Sequence, residues 1–276
     1  MDYQSVNVSP FDLSRKVIVV TGGAGLLGNQ YVQALSEAGA HVIVADIDPS
    51  AAENVALSVK GATAIAIQTD VTQPDSVHGM VAAALREFGR IDGLVNNAAI
   101  DPKFDKSGAG SHVDTFETLP LALWNQSLSV NLTGMMLCTQ AIGAVMLEQR
   151  SGVVVNISSI YGLVGPDQRL YESDRPGSVA SYKPITYSVT KSAVIGFTKY
   201  LATYWAGKGI RVNTLTLGGV YNDHPDEFVS RYSARVPIGR MAMKNEYCGA
   251  LIYLLSEASS YMTGSNLVVD GGWTAW

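Results

Sequence analysis

Apolar positions fall into two alternating rhythms along this chain. Short β-branched runs bounded by turn residues occur at Lys16–Thr21 (KVIVVT), His41–Ala45 (HVIVA), Thr63–Thr69 (TAIAIQT), Ile91–Asn96 (IDGLVN) and Gly152–Ile157 (GVVVNI), and again at Arg211–Leu217 and Leu267–Asp270. Continuous apolar strands of this kind suit a parallel sheet covered on both faces, where both side-chain directions are buried. Between them, helical spacing predicts helices over Leu26–Gly39, Pro74–Phe88, Leu119–Arg150, about Thr186 to Gly207, and Asn245–Ser256. The alternation runs the whole length, without linker or repeat. It predicts one doubly wound α/β domain over 1–276, with about seven parallel strands and helices on both faces.

Three stretches break the rhythm. Residues 101–118 and 163–185 are long, polar and rich in Gly, Pro and Ser, and both follow strands at the edge where such folds bind ligands. The third, 219–244, has helix-like spacing at Phe228 and Tyr232 between polar hinges, which predicts a mobile helical lid from Tyr221 to Lys244. Contact with a substrate and a role as solvated or oligomer-forming loops are both open for these segments.

Composition narrows the function. A net charge of −5 and a pI near 5.3 leave no basic excess to neutralise phosphates, so nucleic acid is not expected as a partner. No apolar run approaches the roughly 20 residues of a membrane span. The polar stretch Met1–Pro10 has no signal-peptide pattern, so a cytoplasmic protein is expected. Cys138 and Cys248 lie in apolar helix-like stretches and read as reduced thiols. The histidines at 41, 78, 112 and 224 have no ligand spacing, so no metal is expected.

Two patterns carry chemistry. In Val17–Gly28 (VIVVTGGAGLLG) a strand feeds a glycine-rich turn and then a helix, an arrangement that lets backbone N–H groups and a helix N-terminus meet a pyrophosphate. Asp46 ends the next strand 18 residues past Gly28, where a carboxylate can accept hydrogen bonds from adenosine ribose hydroxyls and repel a 2′-phosphate. NAD is therefore expected over NADP. Asp46 could instead cap the following helix, although Asp48 and Ser50 are better placed for that. In Tyr187-Ser-Val-Thr-Lys191, helical spacing turns phenol and ammonium the same way. The cation is expected to lower the tyrosine pKa from about 10, making it useful as an acid/base near neutrality.

Taken in order, Thr21–Gly28, Asp46, Asp70-Val71, Asn96-Asn97-Ala98-Ala99, Asn131, Ile157-Ser158-Ser159, Tyr187–Lys191, Arg211-Val212-Asn213 and Asp270-Gly271-Gly272 resemble the short-chain dehydrogenase/reductase family, of the non-extended type. The resemblance covers about Leu13 to Gly272 and implies a Rossmann fold, an NAD cofactor and a homo-oligomer, dimer or tetramer. It implies catalytic roles for four residues. Ser159 would bond the substrate carbonyl, Tyr187 would move the proton, Lys191 would hold the nicotinamide ribose, and Asn131 would anchor a relay water. Cofactor contacts are implied at Gly22, Gly25, Leu26, Leu27, Gly28, Asp46, Ile47, Asp70, Val71, Asn97, Ala98, Ala99, Tyr187, Lys191, Gly218, Val220 and Asn222, with Asn96 also lining the groove. The expected activity interconverts a secondary alcohol and a ketone, on a sugar, amino sugar or polyol. A nucleotide-sugar epimerase or dehydratase and a non-catalytic dinucleotide sensor are the other readings.

The chain departs from the family pattern in three places. Leu26 stands where the middle glycine of the turn is usual, and Leu217-Gly218 stands where Pro-Gly is usual, with Asn222 at a position often held by threonine. Ser159 and Tyr187 lie 28 residues apart, about twice the family's usual interval, so an insertion from about Pro166 to Pro184 is expected to overhang the substrate pocket. It carries Asp167, Gln168, Arg169, Glu172, Asp174, Arg175 and Lys183.

Overall fold

A computed structural model describes residues 9–101, 115–171 and 182–276. Its strands are β1 (Val17–Thr21), β2 (His41–Asp46), β3 (Ala64–Gln68), β4 (Gly93–Asn96), β5 (Gly152–Ser159), β6 (Ile210–Leu217) and β7 (Asn266–Val269). The helices are α1 (Gly28–Glu37), α2 (Pro49–Ser58), α3 (Pro74–Phe88), α4 (Leu121–Leu128), α5 (Met135–Gln149), α6 (Ile185–Tyr204), α7 (Asp226–Ser233) and α8 (Cys248–Leu255). All pairings are parallel and the sheet order is β3-β2-β1-β4-β5-β6-β7. The winding direction reverses between β1 and β4, and that switch point opens a crevice at the carboxyl edge of the sheet.

The pleat explains why the strands are apolar throughout. Ile18 and Val20 of β1 face α1, α2 and α8, where they meet Tyr31, Leu35, Val55 and Leu251. Val17 and Val19 face α3, α5 and α6, and pack with Met80, Ile142, Met146 and Leu201. Both directions are dry, so neither tolerates polar alternation. Leu35, Leu94 and Ile142 are fully buried, and truncating any of them to alanine costs about 2–5 kcal/mol.

The helix starts and stops are chemically legible. Pro74 opens α3, and Gly89 ends it in the left-handed conformation with φ 72°. Asp48 caps α2, its carboxylate accepting the Ala51 N–H at 3.0 Å, as expected of that residue rather than Asp46. No apolar stripe announces α2, because only Ala52 and Val55 of it are buried.

The stretch expected as one helix over Leu119–Arg150 starts after Pro120 and contains a wide π turn at Ser129–Gly134, which periodicity does not reveal. Leu121–Gln149 is 29 residues long and contains an 18-residue window of mean hydropathy 1.5, enough by length and composition alone to cross a membrane. Its buried side chains Cys138, Ile142 and Met146 pack into the sheet, as in the core helix of a globular protein.

Two family-like motifs turn out to hold the frame together. Arg211 donates to the carbonyls of Leu254, Ser256 and Met262, joining β6 to the end of α8. Asp270 accepts the N–H groups of Gly272 and Thr274, which shapes the turn after β7.

Candidate active site

The crevice begins at the glycine turn. Gly22 has φ +61°, and a Cβ on Gly28 would stand 2.0 Å from the Gly22 carbonyl oxygen, so both positions require glycine. Leu26 takes the place of the usual middle glycine without strain, since its φ is not positive and its side chain is 41% exposed. The helix that follows starts at Leu27 with no side-chain cap, leaving first-turn N–H groups and a positive dipole end facing the crevice. That is a cradle for a pyrophosphate.

Neighbouring strand ends brace the turn. The Asn97 amide donates to the carbonyls of Thr21 and Gly22 at 3.0 Å each, and the Thr21 hydroxyl accepts the N–H groups of Asn97 and Ala98 at 3.1 Å. Asp46 Oδ2 accepts the Ala24 N–H at 2.9 Å, so the carboxylate supports the turn while standing at its rim. Ile47 and Ala99 are exposed at the same edge, and Val71 is buried behind Gly134. Asp70 Oδ1 accepts both the N–H and the hydroxyl of Thr72. Asn96 does not line the groove as expected. Strand alternation turns it into the core, where its amide donates to Thr139 and Asn156 at 2.8 Å.

On the far side of the switch point, β5 and α6 supply the reactive groups. Ser158 is buried and donates to the Lys191 carbonyl at 2.7 Å, whereas Ser159 accepts the Tyr161 N–H at 3.2 Å and shares a hydrogen bond with Tyr187. The second serine is therefore the one that meets the tyrosine. Lys191 is buried, and its Nζ donates to the Ile157 carbonyl at 2.9 Å, 5.7 Å from the Tyr187 ring centre. The π turn carries Asn131, whose amide both accepts from and donates to the Ile100 backbone and also reaches Thr190. Asn131 thus clamps the β4 loop to α6.

The electrostatics differ from expectation. Burial foremost, and then the negative charge of Asp101, push the Tyr187 phenol above its ordinary value, and only the Ser159 bond pulls it down. Burial also lowers Lys191 to about 8. Lys191 is not the force that sets the tyrosine here, because it is desolvated itself and directed at a backbone carbonyl.

The polar loops meet above this edge. Lys183 forms an ion pair with Asp101, and its Nζ lies 4.2 Å from the Tyr187 ring centre and 6.0 Å from that of Tyr161. Asp167 pairs with Arg169 and with Arg235, which holds its carboxyl down at about 2. The expected lid contains α7. Its Phe228 packs on Tyr171 at 5.6 Å, and Tyr232 stacks on Trp273 at 4.5 Å and accepts the Gly219 N–H at 2.6 Å. A cavity of about 460 Å³ opens beside Lys183, between Phe116, Leu119, Pro166 and Pro184. Glu172, Asp174 and Arg175 fall outside the described residues.

The remaining expected cofactor positions lie after β6. Gly218 is tight against Asp270, where a Cβ would come within 2.8 Å of its Cα, and its backbone is bonded to Val269 and Tyr247. Val220 bridges Ala242 through bonds made by Gly219 and Tyr221, so its own N–H and C=O face the opposite side. The Asn222 N–H donates to His224. Sequence reasoning missed Asp101 and Tyr232 as site residues. No spacing signal could have found Asp101, which is 82 residues from its partner Lys183.

An anion cradle at a Rossmann switch point, with serine, tyrosine and lysine facing it, defines a dinucleotide-binding oxidoreductase. A family model described as "Enoyl-(Acyl carrier protein) reductase" matches residues 23–274. 2-(S)-hydroxypropyl-CoM dehydrogenase 3 of Xanthobacter autotrophicus is 34% identical over 95% of this chain and 98% of its own. D-threitol dehydrogenase of Mycolicibacterium smegmatis is 32% identical over 96% and 95%. Among solved structures, a short-chain type dehydrogenase/reductase from Mycobacterium marinum superposes with a TM-score of 0.83 at 32% identity, covering 96% of this chain and 98% of that one. An NAD+-bound xylitol dehydrogenase superposes with a TM-score of 0.83 at 28% identity, covering 94% and 99%. A protein of Beutenbergia cavernae described as a "putative NAD(P) dependent gluconate 5-dehydrogenase", with NADP bound at low occupancy, gives 0.81 at 31%, covering 97% and 100%. The chain belongs to the short-chain dehydrogenase/reductase family. Members of the class bind a nicotinamide dinucleotide and oxidise CH–OH groups of small molecules or reduce the corresponding carbonyls.

Proposed function

We propose that this protein interconverts a secondary alcohol and a ketone with NAD(H), on a small hydroxyl-rich substrate such as a sugar, amino sugar or polyol. The observation that carries this reading is the convergence of Ser159, Tyr187 and Lys191 at the mouth of the glycine-turn crevice. The bound dinucleotide supplies or accepts the hydride. Ser159 and the Tyr187 hydroxyl bond the substrate oxygen, and Tyr187 gives the proton to it in reduction or takes it in oxidation. Lys191 orients the cofactor's ribose at the same edge.

Asp46 favours NAD. Its carboxylate stands at the rim with one oxygen spent on Ala24, and a 2′-phosphate placed against it would meet a like charge. The polar substrate class rests on the charged and phenolic groups above the tyrosine, namely Lys183, Asp101, Tyr161 and Tyr171, and is in keeping with threitol and xylitol as the substrates named for relatives. Stacked, exposed Tyr200 and Tyr204 on α6, with exposed Met136 on α5, suit pairing with a second copy.

The test is a screen of polyols, sugars and simple secondary alcohols with NAD+ and NADP+, followed by absorbance of the reduced cofactor. Turnover of a polyol with NAD+ at least tenfold above NADP+ is the expected result. Activity confined to NADP+, or to apolar alcohols, overturns the reading.

A further inference from the structure

The insertion between Ser159 and Tyr187 has a closed neck. The Gln168 side-chain amide accepts the Lys183 N–H at 2.8 Å and donates to the Lys183 carbonyl at 3.3 Å, so two residues 15 apart are tied backbone to side chain. At its starting side, Asp167 is tied to Arg235 below α7, and Leu170 and Tyr171 are packed among Tyr161, Phe228 and Tyr232. Lys183 is thereby fixed one helical turn before Tyr187. Its side chain is only 13% exposed, and the ion pair with Asp101 holds the ammonium against the ring.

We propose that Lys183 is a positioning residue for the reacting tyrosine, a second cation that the insertion delivers to the face of the Tyr187 ring, where with Asp101 it sets how readily the phenol releases its proton. This rests on the proposed role of Tyr187. The geometry favours Lys183 over Lys191 for this task, since its Nζ is 4.2 Å from the ring centre against 5.7 Å, and Lys191 is directed at Ile157. A cation on the ring face gains as the ring takes on phenolate charge, and little solvent is present to screen it.

Asp101 works in the opposite sense, as a negative charge that disfavours the phenolate, while its ion pair holds Lys183 in place. The titratable and charged groups around Tyr187 are Asp101 from the β4 loop, Tyr161 from the turn after β5, Lys183 from the insertion, Lys191 from α6 itself and Tyr247 just before α8, with Ser159 of β5 bonded to it. The insertion is on this account part of the acid/base machinery as well as a wall of the pocket, because shortening or moving it moves a charge at the face of the Tyr187 ring.

The experiment compares Lys183→Met, Lys183→Arg and Asp101→Asn with the unmodified protein, by two readouts. The first is ultraviolet difference titration of tyrosinate in the free protein, with Tyr187→Phe subtracted to isolate the residue. It requires no substrate, so it stands even if Tyr187 does not transfer the proton. The second is the pH profile of kcat with the best alcohol from the screen. The expected result is that Lys183→Met raises the ionisation of Tyr187 by about one unit or more and lowers kcat at neutral pH about tenfold, with NADH affinity unchanged. Lys183→Arg should restore most of both, and Asp101→Asn should move the ionisation downward. An unmoved ionisation in Lys183→Met overturns the proposal, as does a rise in KM alone with the profile intact. Movement in the same direction in Lys183→Met and Asp101→Asn also overturns it. Retained turnover in Tyr187→Phe would instead remove the catalytic reading while leaving the titration result standing.

Discussion

The two halves of the crevice are built by different means. On the β1–β2 side the structure is backbone made: a glycine turn closed by its own carbonyl, braced by Asn97, Thr21 and Asp46 over short distances, and ending in an uncapped helix. On the β5–β6 side it is made of side chains from four separate segments. Lys183, Asp101, Tyr161, Tyr171, Tyr232 and Trp273 form ion pairs and aromatic stacks above the tyrosine. What the first half presents to a dinucleotide is N–H groups and one carboxylate. The second half is idiosyncratic, and the proposed substrate class rests on it.

If that division holds, substitutions on each side should separate chemistry from cofactor binding. The largest effect is expected from Tyr187→Phe, which should lower kcat about 10²- to 10⁴-fold while NADH affinity, read by fluorescence titration, stays within about twofold. Appreciable turnover in that variant would mean that another phenol, such as Tyr161, moves the proton. Next, Gly28→Ala should weaken NADH binding at least tenfold and cost about 1–3 kcal/mol of stability, because its methyl group meets the Gly22 carbonyl. A variant that binds and melts like the parent would show the turn to be looser than its geometry.

Asp46→Ala should narrow the preference for NAD over NADP by about ten- to a hundredfold, as expected for a bond to a charged group worth about 1.5–3 kcal/mol. An unmodified protein that already binds NADPH as tightly would remove the premise. On the other side, shortening Asp167–Ser181 should raise KM for a polar substrate about tenfold with NADH affinity held, since the Asp167–Arg235 tie to α7 is lost. If the shortened protein dissociates on size-exclusion chromatography with KM unchanged, the insertion is an assembly element instead. The smallest effect is expected from Tyr232→Phe. It removes the bond to the half-buried Gly219 N–H, costing about 0.5–1.5 kcal/mol in thermal unfolding and raising KM only a few-fold.

Sequence alone determined every strand, the carboxyl-edge position of the glycine turn, the helical face shared by Tyr187 and Lys191, and the existence of an insertion between serine and tyrosine. Those features are local. Apolar runs, turn residues and four-residue helical spacing act over a few ångströms along the chain. Only the tertiary structure decided that Asn97 and not Asn96 braces the turn, because the direction of a strand side chain depends on where the pleat enters the crevice. It alone revealed that Ser158 is spent on the Lys191 carbonyl and that Asp101 reaches Lys183. It also reversed the expected electrostatics of Tyr187. A cation four residues away predicts a lowered phenol, but burial of both groups and a carboxylate from the β4 loop outweigh it. Desolvation and long-range charge pairs depend on how distant segments close around a site, and no local pattern of residues encodes that closure.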